Sequence, residues 1–219
     1  MLDHIFMDAV GALRDGLEDA RLECLTDEEH LQHDILLGDL IWETSYGLPG
    51  EGLHPRISSE LTMHWSAESQ AVYRSWIIND DYIEPPSVGI EITFCMSNLI
   101  EQSTTTARTP QPADTAPLPT DRKPTRQPIH RKIAEILPQC SPKIGDTKLE
   151  RGCMTSKTLY DDELNLIANF FEVPYEGAYY LDENVLADGS RLDEHFNKLG
   201  SWVSSILARI GHPKLSSAA

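Results

Sequence analysis

The side chains able to do chemistry are few and scattered. Glu28, Glu29, His30, His33 and Asp34 cluster on one predicted helical turn, and imidazole with carboxylate is the donor set of metal and acid–base sites. No further His/Asp/Glu motif accompanies them, so they read as a solvated acidic face. Cys24, Cys95, Cys140 and Cys153 stand far apart with no C-x-x-C pair, which fits neither a disulfide scaffold nor a zinc ribbon. Reduced thiols are expected. Gly47-Leu48-Pro49-Gly50-Glu51-Gly52 lacks both the Lys-Ser/Thr and the preceding strand of a phosphate loop. Trp42, Trp65 and Trp76 read as core or interface aromatics rather than a ligand cage. No nucleophile, base and orienting group occur together, so no enzyme is expected and no catalytic residue, metal or cofactor is assigned.

The remaining chemistry is charge. Across 219 residues, 18 Lys and Arg oppose 35 Asp and Glu, a net −17, which taken as a whole excludes nucleic acid and anionic membrane as partners. The charge is uneven. Residues 1–121 hold 5 basic and 22 acidic side chains, which is the whole excess. Residues 122–157 carry 9 basic and 3 acidic side chains, and residues 158–219 carry 4 and 10. A +6 island therefore lies between two acidic blocks. No apolar run approaches the roughly 20 residues that span a bilayer, and no basic flank or cleavage site of a signal peptide opens the chain. A cytoplasmic protein without membrane partners is expected.

These groups must be held by folded elements, and composition places them in two domains. Residues 102–128 contain 6 Pro and 7 Thr and only Leu118 as a large aliphatic residue, too little apolar area to offset ordering. They read as a Pro/Thr-rich flexible linker between residues 1–101 and 129–212. In the first block Leu2, Ile5, Phe6, Ala9, Val10, Leu13, Leu17 and Ala20 recur at helical spacing. Leu31, Ile35, Leu36, Asp39, Leu40 and Trp42 suggest a second helix. Ile57–Trp65 and Val88–Met96 alternate as strands, and Val72–Ile78 reads as a short strand between them. The expected fold is an acidic α+β N-terminal domain, helices on an antiparallel sheet, joined to an all-α C-terminal domain.

In the second block, Ile133 to Leu137 mark a short helix that Pro138 stops. Ser141 as N-cap and Pro142 at the first position predict another helix to Glu150, terminated at Gly152. Two short helices separated by Pro138-Gln139-Cys140-Ser141 have the outline of a helix-turn-helix. Ile133-Ala134-Glu135-Ile136-Leu137, Lys148-Leu149-Glu150-Arg151-Gly152, Leu164 to Pro174 and Ala178 to Glu183 carry a family likeness. Over residues 129–184 the chain resembles Xre/Cro-type helix-turn-helix transcriptional regulators, in their actinobacterial EspR-like version. The resemblance implies that Ser141, Lys143, Thr147 and Lys148 read DNA from a recognition helix, while Arg131, Lys132 and Arg151 hold phosphates. Arg122, Lys123 and Arg126 would form a basic arm or merely solubilise the linker.

Near the C-terminus Leu192, Phe196, Leu199, Trp202, Val203 and Ile206 form one apolar stripe on a predicted helix. The resemblance assigns that stripe to dimerisation; packing onto its own domain is equally good physics. The leading expectation is a DNA-binding transcriptional regulator that contacts DNA through 122–157, with an acidic N-terminal domain that binds a protein partner or effector. The alternative is an acidic protein-binding adaptor or secretion-type chaperone with a degenerate helix-turn-helix. The +6 island favours the first, and the absence of a helix before Ile129 favours the second.

Overall fold

The computed structural model describes residues 2–31, 38–51, 56–79, 86–97, 133–143, 147–160, 166–180 and 189–211. The expected linker at 102–128 and the basic arm lie outside them, as do Arg131 and Lys132.

Alternation of apolar and polar residues builds one antiparallel sheet. Its strands are β1 (Glu23–Leu31), β2 (Leu40–Gly47), β3 (Ile57–Trp65), β4 (Ser87–Ser97), β5 (Glu150–Arg151), β6 (Thr155–Tyr160) and β7 (Leu166–Tyr180). They run in the order β1-β2-β3-β4-β7-β5, with β6 also paired to β7. Every second residue of β2, β3, β4 and β7 points inward: Trp42, Leu61, Met63, Ile92, Phe94 and Val173 are all at most 1% exposed.

Two helices cover that inner face. Helix α1 (Leu2–Asp19) buries Phe6, Ala9, Val10, Leu13 and Leu17, its i, i+3, i+4 stripe. It stops where Arg21 takes φ 61°, with Arg21 N–H donating to Glu18 O (2.8 Å) and Leu22 N–H to Leu17 O (3.2 Å). That bond pair is a Schellman stop with arginine in the place that glycine fills most easily. A second helix, α2 (Ala67–Asn79), sits at the β3–β4 crossover. The last helix, here α3 (Gly189–Gly211), crosses α1 so closely that a Cβ on Gly200 would collide with the Gly16 carbonyl oxygen, and one on Gly16 with that of Phe196. Only glycine permits this backbone-to-backbone approach.

Several expectations change. The structure bears out a mixed α/β architecture with an antiparallel sheet and a C-terminal helix. The separate all-α C-terminal domain is replaced: β7 pairs with β4 from Ser87↔Tyr180 to Ser97↔Phe170, so both ends of the chain build one sheet. Trp202 on α3 packs edge-on to Phe94 of β4 (5.5 Å) and Tyr175 of β7 (5.1 Å), which makes one shared core. The stripe assigned to dimerisation is used inside the chain: Leu192, Phe196, Leu199, Val203 and Ile206 are buried against α1 and the sheet. The predicted helix over 31–42 is instead the end of β1 and the start of β2, with residues 32–37 undescribed. The predicted strand at 72–78 is α2, started by Ser66, whose Oγ accepts Ser69 N–H (3.1 Å), and by Asp39, which accepts Ala67 N–H (2.7 Å).

Candidate functional site

The residues expected to read DNA do not lie on a helix. Among the described residues of this region 133–136 alone is helical; Ser141–Lys143 are irregular, Thr147–Glu150 run from a bridge to the start of β5, and 144–146 lie outside the described residues. Ser141 is buried and structural: its Oγ accepts Leu149 N–H (2.8 Å), and its N–H donates to Leu149 O (2.9 Å). Leu149 thereby enters the core at 0% exposure, beside Ile133 and Leu137. Ser141 and Leu149 thus meet across eight residues, a closeness that one continuous helix from 142 to 150 would not allow. Arg151 donates from Nη1 to Leu137 O (2.6 Å) and Ala134 O (3.2 Å), completing the short helical turn from outside. Lys148 pairs with Glu150 (2.9 Å), a bond that raises its pKa. Lys143 is exposed.

Thr147, Lys148 and Arg151 do converge, together with Glu150, Glu176 and Tyr180, around an open cleft of about 590 Å³. Two carboxylates among the cations leave it without the positive field that phosphate contacts need. Ala168–Tyr180, within two of the stretches that carry the resemblance, belongs to strand β7, and 181–183 lie outside the described residues.

The acidic cluster at 28–34 is not one helical turn. Glu28, Glu29 and His30 occupy successive positions of β1, opposite Glu43, Trp42 and Ile41, and His33 and Asp34 lie outside the described residues. Among the described residues no group of His, Cys, Asp and Glu could hold a metal ion, and no helix is long and apolar enough to cross a membrane.

The chemistry that the sheet does assemble is on its outer face, which neither α1 nor α3 covers. Glu43, Glu60, Glu91 and Glu176 are exposed there, and Glu172 is half-buried. Cross-strand register lines them up. Glu43 faces Thr62, Thr62 faces Glu91, Glu91 faces Glu176, and Glu176 faces Glu150, one row across five strands. The Glu91–Glu176 like-charge pair is unfavourable by some tenths of a kcal/mol, whereas Glu150 is already paired with Lys148 (2.9 Å). A neighbouring row sets Cys95 opposite Glu172. Burial first, and then the charges of Glu60 and Glu172, push the Cys95 thiol up to about 12, so it is no nucleophile and reports a negative field.

The rim carries partial compensation. Lys157 of β6 approaches Glu172 (3.7 Å), Thr155 Oγ1 donates to the same carboxylate (3.1 Å), and His64 meets Asp39 (3.4 Å). Asp39 is held below its ordinary range mainly by the Ala67 N–H. Sequence reasoning assigned no role to this face. Its signal was present in the strand alternation, because Glu60 and Glu91 fall on the polar phase of strands read correctly, but the strand order that aligns them was not legible.

No protein-family model, no curated protein and no solved structure matches the chain.

Proposed function

We propose that the protein is an acidic adaptor that holds a basic, extended segment of another protein, as a secretion-type chaperone would. The observation that carries this reading is the in-register pair Glu91 and Glu176, with Glu60 exposed on the same side, on a sheet face that neither α1 nor α3 covers. Like charges held in register cost stability that a cationic ligand would return, and a negative surface speeds encounter with such a ligand. The net charge of −17 acts in the same sense at long range. Transcriptional regulation through DNA, the other reading, has the +6 charge of 122–157 in its favour. Among the described residues, no helix presents Lys143, Thr147 and Lys148 together.

Fluorescence anisotropy with two labelled probes, a lysine- and arginine-rich peptide and a mixed-sequence DNA duplex, separates the readings. The full chain is expected to bind the peptide, to lose it as salt rises, and to bind it about tenfold more weakly with Glu60, Glu91 and Glu176 changed to Gln. Duplex binding that disappears when Lys143, Lys148 and Arg151 become Ala, with no peptide binding at low salt, would overturn the adaptor in favour of the regulator.

A further inference from the structure

Strands β4 and β7 are neighbours whose facing ends, Ser97 and Phe170, are close enough to be joined by a short hairpin loop. The chain instead places residues 98–165 between them, and the described part of this insertion returns to the sheet twice. The two returns are built differently.

The first return is anchored in the core. Ile133, Leu137 and Leu149 are at most 3% exposed, and the Tyr175 hydroxyl donates to Pro138 O (2.6 Å). The second return, β6, buries none of its described side chains: Thr155, Ser156 and Lys157 are exposed and Thr158 is half-buried. What holds it is a ladder to β7 from Thr155↔Glu172 to Tyr160↔Leu166, together with the Lys157–Glu172 ion pair and the Thr158–Asn169 hydrogen bond (3.0 Å). Exposed ion pairs are worth about 0–1 kcal/mol, and ladder bonds in water are largely exchanged for bonds to solvent. Moreover, β4 pairs with β7 only as far as Phe170, so Leu166–Asn169 have β6 as their only strand neighbour among the described residues. A two-stranded ribbon of that kind is marginal by itself.

We infer that β6 is a placeholder, occupying in cis the edge of β7 where an extended, basic segment of the partner protein docks by strand exchange. This rests on the adaptor reading and gives it a binding mode. The seat declares the chemistry that it accepts: a strand in antiparallel register with β7 and a cation opposite Phe170 that reaches diagonally to Glu172, which β6 supplies as Lys157. A partner strand with lysine or arginine at that place and apolar residues on the alternate positions keeps every ladder bond and adds apolar contact where Thr155, Ser156 and Lys157 are exposed. While β6 is seated the edge is capped, which protects it from indiscriminate pairing and lowers the apparent affinity by the fraction of time the seat is open.

The test uses the full chain and a fluorescein-labelled peptide with the sequence of residues 154–160, added in trans. Thr158→Pro removes the Thr158–Asn169 side-chain hydrogen bond and sets a proline ring into β6, and Lys157→Glu sets a like charge near Glu172. Thr158→Pro is expected to bind the peptide about tenfold more tightly than the wild type, Lys157→Glu to gain less, and a peptide with Glu in place of the lysine to bind neither. Equal affinity of wild type and both variants for the peptide overturns the placeholder. Should Thr158→Pro fail to fold, Lys157→Glu and hydrogen exchange on the wild type decide. Amides of β6 are expected to exchange far faster than those of β4, and equal protection overturns the inference. A chain that binds the lysine- and arginine-rich peptide through its glutamates but shows no gain on weakening β6 remains an adaptor without a placeholder. Uptake of the β6 peptide by the variants without glutamate-dependent binding of the cationic one removes the adaptor instead.

Discussion

The two faces of the sheet are made by the same strands and differ in almost everything else. On the inner face Trp42, Leu61, Ile92 and Val173 are sealed under α1 and α3; one residue along, Glu43, Thr62, Glu91 and Glu172 meet solvent. A period of two assigns the residues to their faces, but the burial is decided by where the helices pack. Both long helices went to one side, with Gly16 and Gly200 letting them cross there in direct backbone contact. The inner face holds the fold together, and the outer face is left free to be used.

The contrast breaks most severely at the helix crossing. Gly200→Val drives a Cβ into the Gly16 carbonyl and is expected to destabilise the chain by more than about 4 kcal/mol, or to abolish folding. A urea midpoint equal to that of the wild type would show that the helices do not cross where the structure has them.

Next in size is Phe94→Ala, which empties the centre of the aromatic group formed with Tyr175 and Trp202. A loss of about 3–5 kcal/mol is expected by denaturant unfolding. The outer-face substitution Glu91→Gln, one position from the core residue Ile92, should change stability by less than about 0.5 kcal/mol.

His195 tests the inner face by pH. Burial, and after it the charge of Lys198, lowers its pKa to about 3, while its Nε2 lies 3.1 Å from the Tyr179 hydroxyl. The unfolded chain binds this proton at about 6.5, more readily than the folded one. Stability from this group is therefore complete above about pH 6.5 and is lost as pH falls toward 3, at up to about 1.4 kcal/mol per pH unit. His195→Phe should flatten that part of the pH–stability profile by one proton, and an unchanged profile would mean that the imidazole is not buried neutral.

The smallest effect concerns Cys95. With its thiol pushed up to about 12, it should react with a maleimide well after the exposed Cys24 and Cys153. Glu60→Gln should accelerate it by weakening the negative field of the outer face; no change in rate would mean that burial alone protects it.

What was legible depended on whether a pattern was local. The stripes of α1 and α3, and the alternation of Ile57–Trp65 and Val88–Met96, were read directly and recur in the structure. Val72 to Ile78 misled because its β-branched and aromatic residues outweighed the capping signal of Ser66. Leu40 and Trp42 misled in the opposite sense, joined to the helical spacing of Leu31, Ile35 and Leu36, since Thr44, a polar residue 4% exposed, breaks the apolar phase of β2 beyond them. The hardest stretch was Leu164 to Tyr180. Leu166, Ile167, Phe170 and Phe171 have helical spacing, and the resemblance to a helix-turn-helix regulator rested on them. The same stretch also holds Phe171, Val173 and Tyr175 at a period of two, and this is the phase the fold uses, because β4 offers an open edge in register.

The amino-acid sequence by itself determined the uneven charge, the apolar stripes of the two long helices and the phase of the central strands, since each follows from neighbours a few residues apart. Only the tertiary structure decided that residues on both sides of the 98–165 insertion close one sheet, that the C-terminal stripe serves the chain's own core, and that separate glutamates form one row. These depend on pairings between distant strands, and such pairings are selected by the fit of whole surfaces, which no local pattern records.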